Sequence, residues 1–309
     1  MDRYRLGLSW LVLAAGLIAL SAPRVEAGVL FQDTFNRDDS RNIDASLAGI
    51  TDNTGSSLVA DGVYTLPHLD PANDPGPQDS DAANGGGAQV LSQELRLAVG
   101  AGTSNAYINH NFINNEILAA GGFNVSVDIP GYGGSARQNG GGFAIGMSQT
   151  EADSAGDAFN TANPNMTGAY NPDPFGVTGQ PVGPSIVSDF WIGIRGNNSL
   201  AWGSSSGNVL GVPANGLPAK TGSLSVDFAL SDFNAGSPVS YRVFYNGVFQ
   251  GAGSFTWSGT NENYIGLDGR SGEAVIFDNL TITTLPEPAS MALALLGGVV
   301  CLVRRRVAG

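Results

Sequence analysis

The chain has 309 residues, of which 44 are glycine, 16 are proline and only 13% are charged, a composition that argues against helices and for short strands joined by turns. Fourteen Lys/Arg against 27 Asp/Glu give a formal charge of −13, which excludes a nucleic-acid footprint and suits a self-repelling surface with an affinity for divalent cations. One cysteine, Cys301, leaves no intrachain disulfide, and His68 and His110 have no ligand-spaced companions for a zinc site.

The first 27 residues read as a signal peptide. Arg3 and Arg5 supply a positive start, Leu6 to Leu20 an apolar stretch, and Val25-Glu26-Ala27 the small residues that signal peptidase reads. Cleavage between Ala27 and Gly28 is expected, with the mature chain folding outside the cytoplasm; a retained membrane helix is the competing reading.

Residues 28–284 form one expected domain. Over 28–285 there are eight Lys/Arg against twenty-four Asp/Glu, a formal −16. No run has a convincing helical period. "FNVSVDI" puts Phe123, Val125, Val127 and Ile129 on one face, and "GFAIGMS", "FWIGIRG", "SLSVDFAL", "SYRVFYNGVF" and "AVIFDNLTIT" follow the same alternation, the period of half-buried strands. Asn246-Gly247 predicts a two-residue hairpin turn, because both positions tolerate positive φ. Many short strands with Gly/Asn turns imply an all-β, antiparallel sandwich or jelly roll. Two stretches rich in Pro, Asn, Asp and Gly, Asp70–Gly87 and Glu151–Ser188, read as long loops. Asp70, Asp74, Asp79 and Asp81 in the first of them read as a solvated acidic loop. Gly140 to Gly142 lack the following Lys-Ser/Thr of a phosphate loop.

"LFQDTFNRDDS" near the start and "VIFDNLTIT" near the end bracket "VSYRVFYNGVFQGAGSF…NYIGLDG". Together these resemble the concanavalin A-like lectin/glucanase fold, which includes laminin-G-like domains. The resemblance implies that the first and last strands lie side by side and that the Tyr-Arg-Val…Asn-Gly hairpin belongs to the curved sheet. It also implies a structural calcium clipping those strands together, with Asp278 and either Asp33 or Asp38 as ligands. The competing reading of Asp278 is a local strand-end bond, with Asn279 making a turn.

Glucanases of this fold carry Glu-x-Asp-x-Glu on one strand. The nearest approach is "EADSA", where Ala155 replaces the third carboxylate after Glu151 and Asp153, in sequence that reads as loop. No catalytic residue is assigned. Sugar binding needs exposed aromatic faces: Trp191 reads as core, whereas Trp202, flanked by Gly203 and serines, and Tyr132 in "GYGGS" are the candidate platforms. His110 reads as a polar strand-end residue.

Beyond the domain, residues 285–309 form a tail. Ala289 to Val303 are apolar or small and as a helix would span roughly 22 Å of a hydrocarbon core about 30 Å thick. Arg304, Arg305 and Arg306 would reach the headgroups and hold the end on the cytoplasmic side. Pro286 and Pro288 keep the preceding segment extended. Pro286-Glu287-Pro288, a short greasy helix and an arginine cluster resemble the PEP-CTERM sorting signal of Gram-negative bacteria. That resemblance implies cleavage by exosortase at the inner membrane, then passage to the cell surface or extracellular matrix. The expected protein is therefore an exported, non-enzymatic envelope or matrix component, glycan-associated or structural, whose partners are signal peptidase, exosortase and a polysaccharide. The alternative is a secreted polysaccharide hydrolase or lyase.

Overall fold

Alternation of apolar and polar side chains becomes two antiparallel sheets stacked face to face. The computed structural model describes residues 27–68, 88–97, 103–132, 140–154, 188–204, 209–212, 216–270 and 274–286. The expected signal peptide up to Glu26, the sorting residues Glu287, Pro288, Arg304, Arg305 and Arg306, the 289–303 helix, the loop 70–87 and residues 155–187 of the second loop lie outside them. Val29–Thr284 form one compact unit. Among the described residues no helix is long and apolar enough to cross a membrane.

Strands are numbered in chain order. One sheet contains β1 (Val29–Asp33), β2 (Ile50–Asp52), β4 (Gln89–Leu91), β5 (Glu94–Leu97), β7 (Gly122–Tyr132), β12 (Gly222–Ala229), β13 (Pro238–Tyr245), β14 (Val248–Thr256) and β16 (Val275–Thr284). Its order is β14-β13-β12-β7-β16-β1-β2, with β5 also joined to β16 and carrying β4. The other contains β3 (Tyr64–His68), β6 (Thr103–Ile108), β8 (Gly140–Met147), β9 (Phe190–Arg195), β10 (Leu200–Ser204), β11 (Val209–Val212) and β15 (Tyr264–Arg270). Its order is β11-β10-β9-β8-β15-β6-β3. β1 pairs with β16, Val29 opposite Thr283 and Asp33 opposite Leu280, so the first and last strands leave the sandwich side by side.

The inner faces interlock through aromatic rings. Phe190 of β9 lies 5.1 Å from Phe228, 4.8 Å from Tyr241 and 5.9 Å from Phe255, all on the opposing sheet. A buried side chain of this kind contributes about 1.5–3 kcal/mol through area removed from water. The Gly140–Gly142 triplet is explained by close packing. A methyl group at Gly142 would strike the Ile192 carbonyl, and one at Gly141 would meet Val275 and the Phe277 ring. A smaller core covers the outside of the seven-stranded sheet: Tyr107, Ala144, Met147, Ala152, Trp191 and Ala201, with Tyr264 against it. Trp191 is fully buried there.

The Asn246-Gly247 turn forms as its sequence predicts, with φ of 49° and 73° and Tyr245 opposite Val248. A second turn of this positive-φ type joins β4 to β5 through Ser92 and Gln93, φ 58° and 64°, with no glycine to announce it. Two short helices correct the all-strand reading: α1 (Asn115–Ala120) and α2 (Gln149–Ser154). Each has six residues, too few to display a helical period. α1 ends at Gly121 in the left-handed region, and α2 begins with a capping box: Ser148 N donates to Glu151 Oε2 at 2.8 Å and Glu151 N donates to Ser148 Oγ at 3.1 Å.

Candidate functional site

Two neighbouring rows on the outer face of the nine-stranded sheet are mostly polar and end in aromatic rings at the β13–β14 hairpin. Cross-strand register aligns Thr283 (β16), Asn124 (β7), Asp227 (β12), Arg242 (β13) and Ala252 (β14) in one row. The next row runs Gln32, Thr281, Ser126, Ser225, Phe244 and Phe249. Four of these side chains, Asn124, Ser225, Asp227 and Arg242, are bonded to one another. Asn124 Nδ2 donates to Ser225 Oγ and to Asp227 Oδ1, both at 2.8 Å. Arg242 Nη2 donates to Asp227 Oδ2 at 2.7 Å.

The Arg242 side chain is 63% exposed, so its ion pair with Asp227 contributes only about 0–1 kcal/mol to stability. Its guanidinium lies 5.8 Å from the centre of the Phe244 ring, and Phe249 meets Phe244 edge-on at 6.0 Å. Phe249 is 55% exposed. The turn geometry explains this pair: a two-residue loop places Tyr245 opposite Val248 and Phe244 opposite Phe249, and Phe244 shares its face with Arg242. From Asn124 to Phe249 the stripe crosses three strand intervals, roughly 14 Å. It offers amide, carboxylate, hydroxyl and guanidinium groups beside exposed aromatic rings. A hydroxyl-rich ligand with an apolar ring face matches that combination, because each hydroxyl both donates and accepts.

The residues singled out in the sequence fall elsewhere. Trp202 is only 3% exposed and packs inward against β14, where an added methyl on Gly251 would come within 2.7 Å of its ring. It is not an exposed platform, although its Gly/Ser neighbours suggested one. Tyr132 ends β7, and its side chain lies outside what is described. Asp33 is fully buried. Its carboxylate takes Arg37 Nη1 at 2.8 Å and Nη2 at 2.9 Å, Tyr64 Oη at 3.0 Å and Phe35 N at 2.7 Å. Arg37 Nε in turn donates to the Ile43 carbonyl at 2.7 Å. Burial pulls the Arg37 pKa down, but the bonds to Asp33 outweigh it and hold the guanidinium above its ordinary value. Burial, with the Asp33 charge adding to it, pushes the Tyr64 phenol well up.

Asp38 is exposed. Asp278 is partly buried and accepts from Asn279 N at 2.8 Å, while Asn279 Nδ2 reaches Asp128 at 3.0 Å. Asn279 sits at φ 50° where β16 bulges against β7. Partial burial, reinforced by Asp128, raises the Asp278 carboxyl above the usual range. Asp33, Asp38 and Asp278 therefore do not converge on one oxygen cage. No group of three His, Cys, Asp or Glu side chains among the described residues is placed to hold a metal.

Glu151 is engaged in its capping box with Ser148. His110 lies edge-on to Phe112 at 4.6 Å, and burial lowers its pKa. Ala27 and Gly28 directly precede β1, and Pro286 is exposed two residues beyond β16.

No family model matches this chain, and no curated protein matches it. Solved structures do resemble it. The carbohydrate recognition domain of Emp46p, a point mutant, aligns with TM-score 0.41 and 8% identity over 73% of this chain and 92% of its own. The exoplasmic/lumenal domain of VIP36, in its Ca2+/Man3GlcNAc-bound form, gives 0.39 and 9% over 72% and 86%. The carbohydrate-binding module CBM66 from Bacillus subtilis gives 0.32 and 8% over 60% and 83%. All three scores are low, so the assignment of an antiparallel sandwich rests on strand order and register.

Proposed function

We propose that this is an exported, non-enzymatic protein of the envelope or extracellular matrix that holds a neutral polysaccharide on the outer face of its nine-stranded sheet. The observation that carries the glycan reading is the stripe from Asn124 through Asp227 and Arg242 to Phe244 and Phe249, where hydrogen-bonding groups adjoin exposed rings. Phe249 and Phe244 supply apolar surface for a sugar ring. Arg242 gives one N–H to Asp227, and its fork has five donors in all, so it can serve ring hydroxyls as well. The formal −16 of residues 28–285 favours uncharged over acidic chains.

Export rests on the signal-peptide pattern ending at Ala27, and sorting rests on the resemblance of Pro286-Glu287-Pro288 and the arginine cluster to exosortase substrates. Two experiments test the reading. Electrophoresis through gels carrying a neutral β-glucan, a xylan or a galactomannan should retard the secreted protein in at least one; equal mobility in all would refute glycan binding. Alanine at positions 286–288 should leave the chain uncleaved in the inner membrane, and unchanged processing would refute the sorting reading.

A further inference from the structure

The sheet edges of this protein are unequal. β2 and β4 have three residues each, β11 has four, and β3 has five with Pro67 among them. Short strands and prolines are the usual means of preventing an edge from pairing with another chain. β14 lacks both. It is nine residues long, "VFQGAGSFT", with no charge and no proline, and among the described residues it pairs with β13 alone. A bulge separates Phe249 from Gly251, after which Gly251–Thr256 run in regular register against Val243–Pro238. Val248 is 62% exposed and Phe249 55%.

We propose that β14 is a homotypic docking edge, and that its occupant is β14 of a second copy, antiparallel about a two-fold axis through the Gly251–Thr256 run. The chemistry selects a second copy. Over Gly251–Thr256 each edge presents the same N–H and C=O groups, which among the described residues meet no strand on that side, and the strand is uncharged in a domain of formal −16, so no like charges meet in the ladder. An isologous pairing also closes on itself, consuming both long edges and leaving no template for a filament. The electrostatic opposition is long-range repulsion between two acidic bodies, which salt screens over about 10 Å at 0.1 M. The dimer therefore tightens with salt, whereas an ionic partner would be released. In such a dimer the outer faces of the two nine-stranded sheets become continuous. The Phe244/Phe249 ends of the two stripes then flank the axis, and a polymer could be gripped twice.

The test uses the purified full chain in detergent micelles free of polysaccharide, with Cys301→Ser to remove the endogenous thiol. Single cysteines are introduced as Ala252→Cys, Ser254→Cys and Thr256→Cys, and as Ser231→Cys, an exposed control off the strand. Mild oxidation should yield a disulfide-linked dimer from at least one β14 position and none from the control. The band should strengthen with salt and be lost when a neighbouring exposed position is changed by Ala252→Lys or Thr256→Lys. Absence of a dimer at all three positions, an equal band from Ser231→Cys, or a band that survives the lysine substitutions would overturn the proposal. No glycan is present in this assay, so its failure leaves the polysaccharide reading standing.

Discussion

Arg37→Met isolates the buried network behind β1. In the native protein Asp33 and Arg37 form a two-pronged ion pair at 2.8 and 2.9 Å, with side chains 0% and 2% exposed. Methionine keeps much of the volume but leaves the Asp33 carboxylate buried with only Tyr64 Oη and Phe35 N as donors. Removing one partner of a buried pair costs about 3–5 kcal/mol, because the remaining charge is uncompensated. For a domain of this size each kcal/mol moves Tm by about 2–4 °C, so a fall of roughly 6–20 °C is expected in thermal denaturation followed by circular dichroism. Arg37→Met combined with Asp33→Leu should recover much of the loss, since no charge is then stranded. Calcium and chelator should leave the wild-type Tm unchanged, because Asp33 has its oxygens committed to protein donors. A mild effect of Arg37→Met, together with a large chelator-induced fall in the wild type, would refute this account and restore Asp33 as a cation ligand.

Two further outcomes follow from the same geometry. Gly251→Ala should destabilise the domain by about 1–3 kcal/mol through overpacking, since the new methyl would lie 2.7 Å from the rigid Trp202 ring; urea denaturation that shows no loss would mean that Trp202 is not packed there. Asp278→Asn should raise Tm at neutral pH. The folded carboxyl titrates above its unfolded value, so stability is greatest below the unfolded pKa of about 3.9 and declines as pH rises through the folded pKa. The uncharged variant escapes that decline, and its advantage should vanish in acid; an advantage that grows on acidification would contradict the assignment.

Much of the architecture was legible because its cause is local. Alternation in "FNVSVDI" and "SLSVDFAL" marks β7 and β12, and Asn-Gly fixes the β13–β14 hairpin and its register. The same turn pairs Phe244 with Phe249, so half of the outer stripe was encoded in the sequence. What hid the other half is distance along the chain: Asn124 meets Asp227 only because β7 and β12 are neighbours. Trp202 failed as a platform for the same reason, since its cover is Gly251 from the opposing sheet. Arg37 lies four residues from Asp33 in irregular chain, where no period announces a pair. α1 and α2 are set by a Gly121 cap and a Ser148/Glu151 box, signals confined to one turn each.

The outer sheet face is tested most directly by locating the bound sugar. Backbone amide shifts should be recorded by NMR during titration with whichever neutral polysaccharide retards the protein. The account predicts perturbations concentrated at Asn124, Ser225, Asp227, Arg242, Phe244 and Phe249, weakened about tenfold or more in apparent affinity by the pair Arg242→Ala and Phe249→Ala, a loss of about 1.4 kcal/mol. Saturable shifts confined to the seven-stranded sheet, or binding untouched by that pair of substitutions, would contradict it.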